Sequence, residues 1–313
     1  RSPEVLEAVD VVLGGSESRY TVEVVLPGPV RRELQATAAG LPEPVAEQAV
    51  GLLVLHDLTE VRRMEQMRAD FVANASHELK TPLATLTGFI ETLQGPASDD
   101  PDARARFLPI MHEQAARMSR LIDDLLSLSR IELAEASRPT DPVDVAEVLE
   151  RVRKAVALNA DQQGITLDVR VADGLPVVPG DPDQVAQVFQ NLVDNAIKYG
   201  GAGSTVTVTA DMAAAPPVGR QPHLRDGAVV VSITDEGEGI PREHLPRLTE
   251  RFYRVDKARS RSLGGTGLGL AIVKHILTRH RGALEIESAE GEGSTFTVYL
   301  PVATAAGQGT EEP

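Results

Sequence analysis

Two long stretches of apolar residues spaced by threes and fours constrain the fold of this chain more than anything else in it. The first runs through Val61, Met64, Met67, Phe71, Ala75, Leu79, Leu83, Leu86, Ile90 and Leu93, one stripe of a long helix. The segment Gly95-Pro-Ala-Ser-Asp-Asp-Pro101 interrupts it, and the pattern resumes at Phe107, Ile110, Met111, Met118, Leu121, Ile122, Leu125 and Leu128. Two helices of about 30 residues with a short connection predict an antiparallel hairpin. A lone hairpin would leave an apolar stripe of each helix exposed. The pattern therefore predicts a homodimer in which two copies close a four-helix bundle.

The flanking segments follow other periods. Residues 1–60 carry three short, roughly alternating runs, Tyr20–Leu26, Val30–Ala36 and Val50–Asp57, each bounded by Pro or Gly, which predict strands of a small sheet. Arg138-Pro-Thr-Asp-Pro-Val143 reads as a linker. Beyond it helices are expected near 144–162, 182–198 and 270–280, and strands at 165–171, 205–210, 228–234, 283–287 and 294–300. That order predicts an α/β sandwich, one layer of helices on one mixed sheet. Residues 211–227, with Pro216, Pro217 and Gly219, read as a loop, and 303–313 as a disordered tail. The expected division is a β-rich segment at 1–60, a helical domain at 61–137, a linker at 138–143, a sandwich at 144–302 and the tail.

Composition narrows the chemistry. The chain has no Cys, which excludes disulfides, thiolate metal sites and cysteine nucleophiles. The net charge of -15 argues against nucleic acid as a partner, because phosphate backbones call for concentrated Lys and Arg. Aromatic residues make up only 3%, with no Trp, so the core must be built from Leu, Val, Ile and Ala. No run of about 18 apolar residues occurs, so no membrane contact is expected from these residues. The chain begins with Arg1 rather than Met, and it reads as a fragment of a longer protein.

The segment Phe71-Val-Ala-Asn-Ala-Ser-His-Glu-Leu-Lys-Thr-Pro-Leu83 places an unusual histidine on the first helix. Ala75 and Leu79 belong to the apolar stripe, and His77 stands two residues, about 200° of rotation, from each. It is expected on the outer face, available as a nucleophile. Thr81 shares that face, and the adjacent Glu78 can accept the imidazole proton as the ring attacks an electrophile. Pro82 is expected to bend the helix, since it cannot donate to the carbonyl of Glu78. The other histidines, His56, His112, His223, His244, His275 and His280, lack such surroundings and read as ordinary surface residues.

Three separated segments each suit a nucleotide. In Gln187-Val-Phe-Gln-Asn-Leu-Val-Asp-Asn-Ala-Ile-Lys-Tyr199, Asn191 and Asn195 fall on one helical face with Lys198 a turn further. An amide oxygen is a hard ligand suited to Mg²⁺, and Lys198 can meet phosphate charge. Val231-Ser-Ile-Thr-Asp-Glu-Gly-Glu-Gly-Ile240 is a strand and a glycine turn. There Asp235 can accept from an exocyclic amine such as adenine N6, and Gly237 and Gly239 let the backbone approach a flat base. Gly264-Gly-Thr-Gly-Leu-Gly-Leu270 opens a helix whose free N–H groups favour a triphosphate. Its Gly265-x-Gly267-x-Gly269 spacing, with no strand before it, rules out a dinucleotide-binding fingerprint. Taken singly, two Asn on a helix are usually solvent-facing, and a glycine pair after an Asp is often only a turn.

Ser76-His-Glu-Leu-Lys-Thr-Pro-Leu83 resembles the phosphoacceptor motif of bacterial sensor histidine kinases, and the three later segments resemble the N, G1 and G2 boxes of that family's ATP-binding domain. Glu250-Arg-Phe-Tyr-Arg-Val-Asp256 is similar to its F box. The resemblance covers about residues 61–302, and its details are most similar to phosphate-regulon sensor kinases. It implies that His77 is phosphorylated from ATP, that Glu78 is the general base, and that Thr81 serves a reverse phosphatase activity. It further implies that Asn191 holds Mg²⁺ beside Asn195, that Asp235 reads adenine, and that Tyr199 lines the base pocket. Arg251 or Arg254 would lie near the phosphates in a lid spanning about 250–268, with Gly265, Thr266, Gly267, Leu268 and Gly269 at its end. The implied partners are a second copy and the receiver domain of a response regulator. The implied setting is a cytoplasmic portion of a protein anchored in the inner membrane, preceded by a PAS-like sensor segment of which 1–60 is the C-terminal half. The rival readings are an ATPase of the chaperone and DNA-repair type sharing these boxes, or a regulator in which phosphatase activity dominates.

Overall fold

A computed structural model describes residues 2–28, 31–41, 51–133, 137–213, 224, 227–256 and 265–302. The expected loop at 211–227 lies mostly outside the described residues, as do the tail at 303–313, His223, and 257–264 of the expected lid. The chain divides into two compact units, Arg1–His77 and Glu78–Pro313.

The first unit opens with a helix that the strand-seeking reading of 1–60 did not include, α1 (Pro3–Leu13). Pro3 sits in its first turn, where a missing N–H costs nothing. Its Ala8 and Val12 are buried together with Ala38, covering a sheet of three antiparallel strands. These are β1 (Arg19–Leu26), β2 (Arg32–Gly40) and β3 (Gly51–Asp57), in the order β1-β2-β3. All three expected strands are present. Val30 and Val50, their expected first residues, lie outside the described residues.

The boundary between the units falls inside α2 (Thr59–Gln94). Helical structure continues through Pro82, which is buried. Its partner is α3 (Pro101–Leu133), and Phe89 stacks on Phe107 near the connection, with ring centroids 4.7 Å apart. Leu121, Leu128 and Ile131 of α3 are buried, whereas Leu83, Ile90, Ile122 and Leu126 of the hairpin are exposed in the single chain. No helix among the described residues is long and apolar enough to cross a membrane.

The rest of the second unit is the expected mixed sheet under helices. Asp141–Val143, the end of the stretch read as a linker, forms β4, which pairs antiparallel with β6 (Val178–Gly180). The other strands are β5 (Thr166–Val171), β7 (Thr205–Ala213), β8 (Ala228–Asp235), β9 (Ala283–Ala289) and β10 (Gly293–Pro301). Their order is β5-β7-β8-β10-β9, with only β5 and β7 parallel. The helices are α4 (Val145–Gln163), α5 (Pro182–Gly200) and α6 (Gly269–Arg279).

Sequence chemistry sets these boundaries. Asp144 caps α4 by accepting from the N–H groups of Ala146 and Glu147, and Gly164 ends it in a left-handed conformation. Asp181 caps α5 in the same way. Along α5, Val185, Val188, Phe189, Leu192, Val193, Ala196 and Ile197 form the buried face. Beneath lie cross-strand rows such as Val208, Ile233 and Phe296. Strand β8 runs from Ala228, opposite Ala213, to Asp235 at its far end.

Candidate functional site

On α2, His77 and Thr81 are exposed, as the helical pattern requires, and Glu78 is half-buried. The imidazole therefore meets solvent from a rigid element. The Glu78 carboxylate is not idle. Its Oε2 accepts from Arg117 of α3 at 2.9 Å and from Arg254 at 3.0 Å.

The expected nucleotide residues collect around the ends of α5, β8 and α6. Since Leu192, Val193, Ala196 and Ile197 take the buried face of α5, its half-buried face is left to Asn191, Asn195, Lys198 and Tyr199. Asn191 lies against the start of α6. A Cβ added to Gly269 would stand 3.3 Å from its Oδ1, so glycine keeps this space open. Among the described residues, neither the buried Nδ2 of Asn191 nor the buried Nε of Arg254 has a hydrogen-bond partner. Two orphaned donors carry a desolvation cost that a bound acceptor would remove.

Asp235 is buried at the end of β8, and its Oδ1 accepts from the Gly237 N–H at 2.9 Å. Burial pushes its carboxyl up, while hydrogen bonds from the Gly237 and Ser294 backbones oppose the rise. Gly237 is required by contact, since a Cβ there would lie 2.3 Å from the Tyr199 carbonyl oxygen and 2.8 Å from Asp235 Oδ1. Gly239 follows in the same turn, half-buried. Adenine-reading Asp235 and base-lining Tyr199, as the family resemblance would have them, are thus neighbours.

Residues 252–254 are laced to the glycine loop. Phe252 donates its N–H to the Gly267 carbonyl at 2.8 Å and adopts a φ of 62°, a left-handed conformation that a bulky residue rarely takes. Arg254 donates to the Thr266 carbonyl at 2.8 Å. Gly265, Thr266 and Gly267 are half-buried, while the Leu268 side chain is wholly buried and contributes to the core. What Leu268 offers the site is its N–H, 3.2 Å from the Thr266 hydroxyl.

The surroundings are cationic. Burial is the main cause that lowers the Lys198 ammonium to about 8, and Arg254, Arg120 and Arg117 push the same way. Like charges gathered in a half-buried place are an arrangement suited to an anion. Among the described residues no group of three or more His, Cys, Asp or Glu is placed to hold a metal ion. A divalent ion here would take the Asn191 oxygen together with phosphate oxygens, which agrees with the donor set expected for Mg²⁺.

Sequence reasoning missed the polar face of α3. Arg117, Arg120, Asp124 and Ser127 follow at steps of three and four, a helical stripe in its own right that lay hidden behind the search for apolar periodicity. The Asp124 Oδ2 accepts from the Thr266 hydroxyl at 2.6 Å, Ser127 bonds to Gln187 of α5 at 2.9 Å, and Glu132 pairs with Arg251. Burial pushes the Asp124 carboxyl up, with the Thr266 hydroxyl opposing.

Two family models match the chain. Residues 67–134 match the His Kinase A (phospho-acceptor) domain, and residues 180–304 match the histidine kinase-, DNA gyrase B-, and HSP90-like ATPase. The chain is 43% identical over 259 residues to the phosphate regulon sensor protein PhoR of Pseudomonas aeruginosa, an alignment covering 82% of this chain and 55% of that protein. It therefore spans about half the length of that curated relative. Among solved structures, the histidine kinase AdeS of Acinetobacter baumannii superposes with a TM-score of 0.53 at 27% identity, covering 73% of this chain and 98% of that one. The histidine kinase ThkA, solved in complex with the response regulator protein TrrA, has a TM-score of 0.56 at 19% identity. That match covers 96% of this chain and 83% of that one and speaks to the fold.

Proposed function

Because this chain belongs to the sensor histidine kinases, we propose that it transfers the γ-phosphoryl group of ATP to its own His77 and hands it on to an aspartate of a response regulator. The observation that carries the reading is the cradle formed by α5, the β8 turn and the start of α6. There two buried donors, Asn191 Nδ2 and Arg254 Nε, await an acceptor beside a half-buried cationic cluster. The exposed His77 in its phosphoacceptor string supplies the nucleophile. MgATP, when bound, supplies the electrophilic phosphorus and the ADP leaving group.

The residues divide the work. Asp235 accepts from the adenine amine, with Gly237 and Gly239 leaving room for the ring and Tyr199 beside it. Asn191 holds Mg²⁺, Asn195 supports it, and Lys198, Arg251, Arg254 and the backbone of Gly265–Gly269 hold phosphate oxygens. A ring nitrogen of His77 forms the new N–P bond as the P–O bond to ADP breaks, and the ring proton passes to the Glu78 carboxylate. Thr81, exposed one turn beyond His77, would position water for the reverse hydrolysis. A homodimer suits the apolar Leu83, Ile90, Ile122 and Leu126 left exposed on the hairpin. The longer protein would be anchored in the inner membrane with this portion in the cytoplasm, and 1–60 would end a PAS-like sensor.

Incubation with γ-labelled ATP tests the proposal. The wild-type protein should acquire an acid-labile, base-stable label, His77→Gln none and Asn191→Ala little. Label persisting on His77→Gln, or a label with the stability of an ordinary phosphoester, would overturn it.

A further inference from the structure

We propose that the hairpin latches the phosphate-binding groups of the nucleotide site with its own carboxylates, so that hairpin docking and a triphosphate compete for the same donors. The inference rests on the nucleotide reading above and adds a regulation to it. Three contacts make the latch. Arg254 donates to Glu78 at 3.0 Å. The Thr266 hydroxyl donates to Asp124 at 2.6 Å while accepting the Leu268 N–H just ahead of α6. Arg251 pairs with Glu132, whose Oε1 also lies 3.8 Å from His275 Nε2 on α6.

A carboxylate is the protein group closest in chemistry to a phosphate oxygen, anionic and acceptor-only. Each of the three acids comes from α2 or α3, and each grips a group assigned above to the phosphates or to the glycine loop that holds them. One coincidence of this kind would be an ordinary surface pair. Here the Arg254 side chain is 5% exposed, and Asp124 reaches a half-buried hydroxyl at the very helix start where a triphosphate would find its N–H groups. The base-reading end, Asp235 and Gly237, takes no part in the latch. The Ser127–Gln187 bond joins α3 to α5 through neutral groups that phosphate has no call on.

Linkage then fixes the behaviour. A ligand that takes Arg251, Arg254 and Thr266 loosens the hairpin, and the docked hairpin weakens that ligand by the same factor. The apparent affinity for a triphosphate is the intrinsic one reduced by the unlatched fraction. Adenosine, which lacks phosphates, escapes this reduction. Nucleotide arrival also strips Arg254 from Glu78, leaving the expected base with Arg117 and one fewer cation holding its charge.

The test is a calorimetric titration of the whole chain with the non-hydrolysable MgAMPPNP and, separately, with adenosine. The wild type is compared with Asp124→Asn/Glu132→Gln, neither residue being among those assigned to catalysis. The variant should bind MgAMPPNP at least about fivefold more tightly and adenosine equally. Equal or weaker MgAMPPNP binding, or a gain shared by adenosine, overturns the latch. If the double variant does not melt cooperatively, Glu132→Gln alone, whose side chain is 35% exposed, carries the comparison, with a gain of about twofold or more expected. Failure of both ligands to bind either protein would instead sink the nucleotide reading and the latch with it.

Discussion

His280 is 1% exposed between the end of α6 and the start of α5, and its ring can make both of its hydrogen bonds only when neutral. The Asp181 N–H lies 3.0 Å from Nε2, which must therefore carry a lone pair, and Nδ1 lies 2.8 Å from the Ile276 carbonyl, which it can reach only as a donor. Burial is the chief cause that lowers its pKa from the usual 6.5. The Ile276 carbonyl opposes it, Arg279 and Arg138 add to the lowering, and Asp181 opposes. A depressed folded-state pKa means that the unfolded chain takes up the proton first. The contribution to stability is thus complete above about pH 6.5 and is lost as pH falls below that value toward the folded-state pKa. One proton gives a slope of at most about 1.4 kcal/mol per pH unit, so a fall from about pH 7.5 to about 5.5 should remove up to about 1.4 kcal/mol. His280→Gln can still accept from Asp181 but does not titrate. It should cost about 1–3 kcal/mol at neutral pH through imperfect packing and flatten this part of the profile. Amide hydrogen exchange of Val229–Ile233 in β8, corrected for the intrinsic pH dependence of exchange, reads the opening free energy of this sheet directly. Wild-type and variant profiles that run parallel between those pH values would refute the reasoning.

Gly237→Ala should weaken nucleotide binding more than about tenfold, because its Cβ would meet the Tyr199 carbonyl at 2.3 Å. Gly201→Ala, in open space but at φ 85° and ψ 153°, a backbone conformation essentially reserved for glycine, should cost about 1–3 kcal/mol and leave binding intact, as parallel titrations and melting curves would show. Asp144→Ala removes a cap that serves two N–H groups of α4 and should cost about 1 kcal/mol, measured by chemical denaturation. Phe89→Ala breaks the stack on Phe107 and should lower hairpin stability by about 2 kcal/mol, seen in the melting of far-UV helical signal.

What was legible in the sequence was whatever repeats at short range. The strand expected at 228–234 and the i, i+4 pairing of Asn191 with Asn195 came from such short-range pattern, and the structure has β8 and the half-buried face of α5 there. The missed features depend on partners distant in the chain or were masked by other expectations. Strand β4 has only three residues and owes its existence to β6, some 37 positions later, so no periodicity could announce it. Helix α1 carries Ala8 and Val12 four apart behind an N-terminal proline, a signal present but passed over for strands. Asp124 and Glu132 each pair with residues more than 100 positions away, and local pattern says nothing about such meetings. The Leu268 side chain shows the opposite error, a motif position whose backbone matters to the site while its side chain belongs to the core.

The antiparallel pairing of β7 with β8 separates two ends of the sheet, with Asp235 at one and the Ala213–Ala228 rung at the other. Residues 229–234 of β8 lie between, and the seven steps from Ala228 to Asp235 span about 24 Å of strand. A reporter domain spliced between positions 213 and 228 would attach at the end of the sheet remote from Asp235, which makes that junction the natural place to fit an optical probe without crowding the candidate nucleotide site.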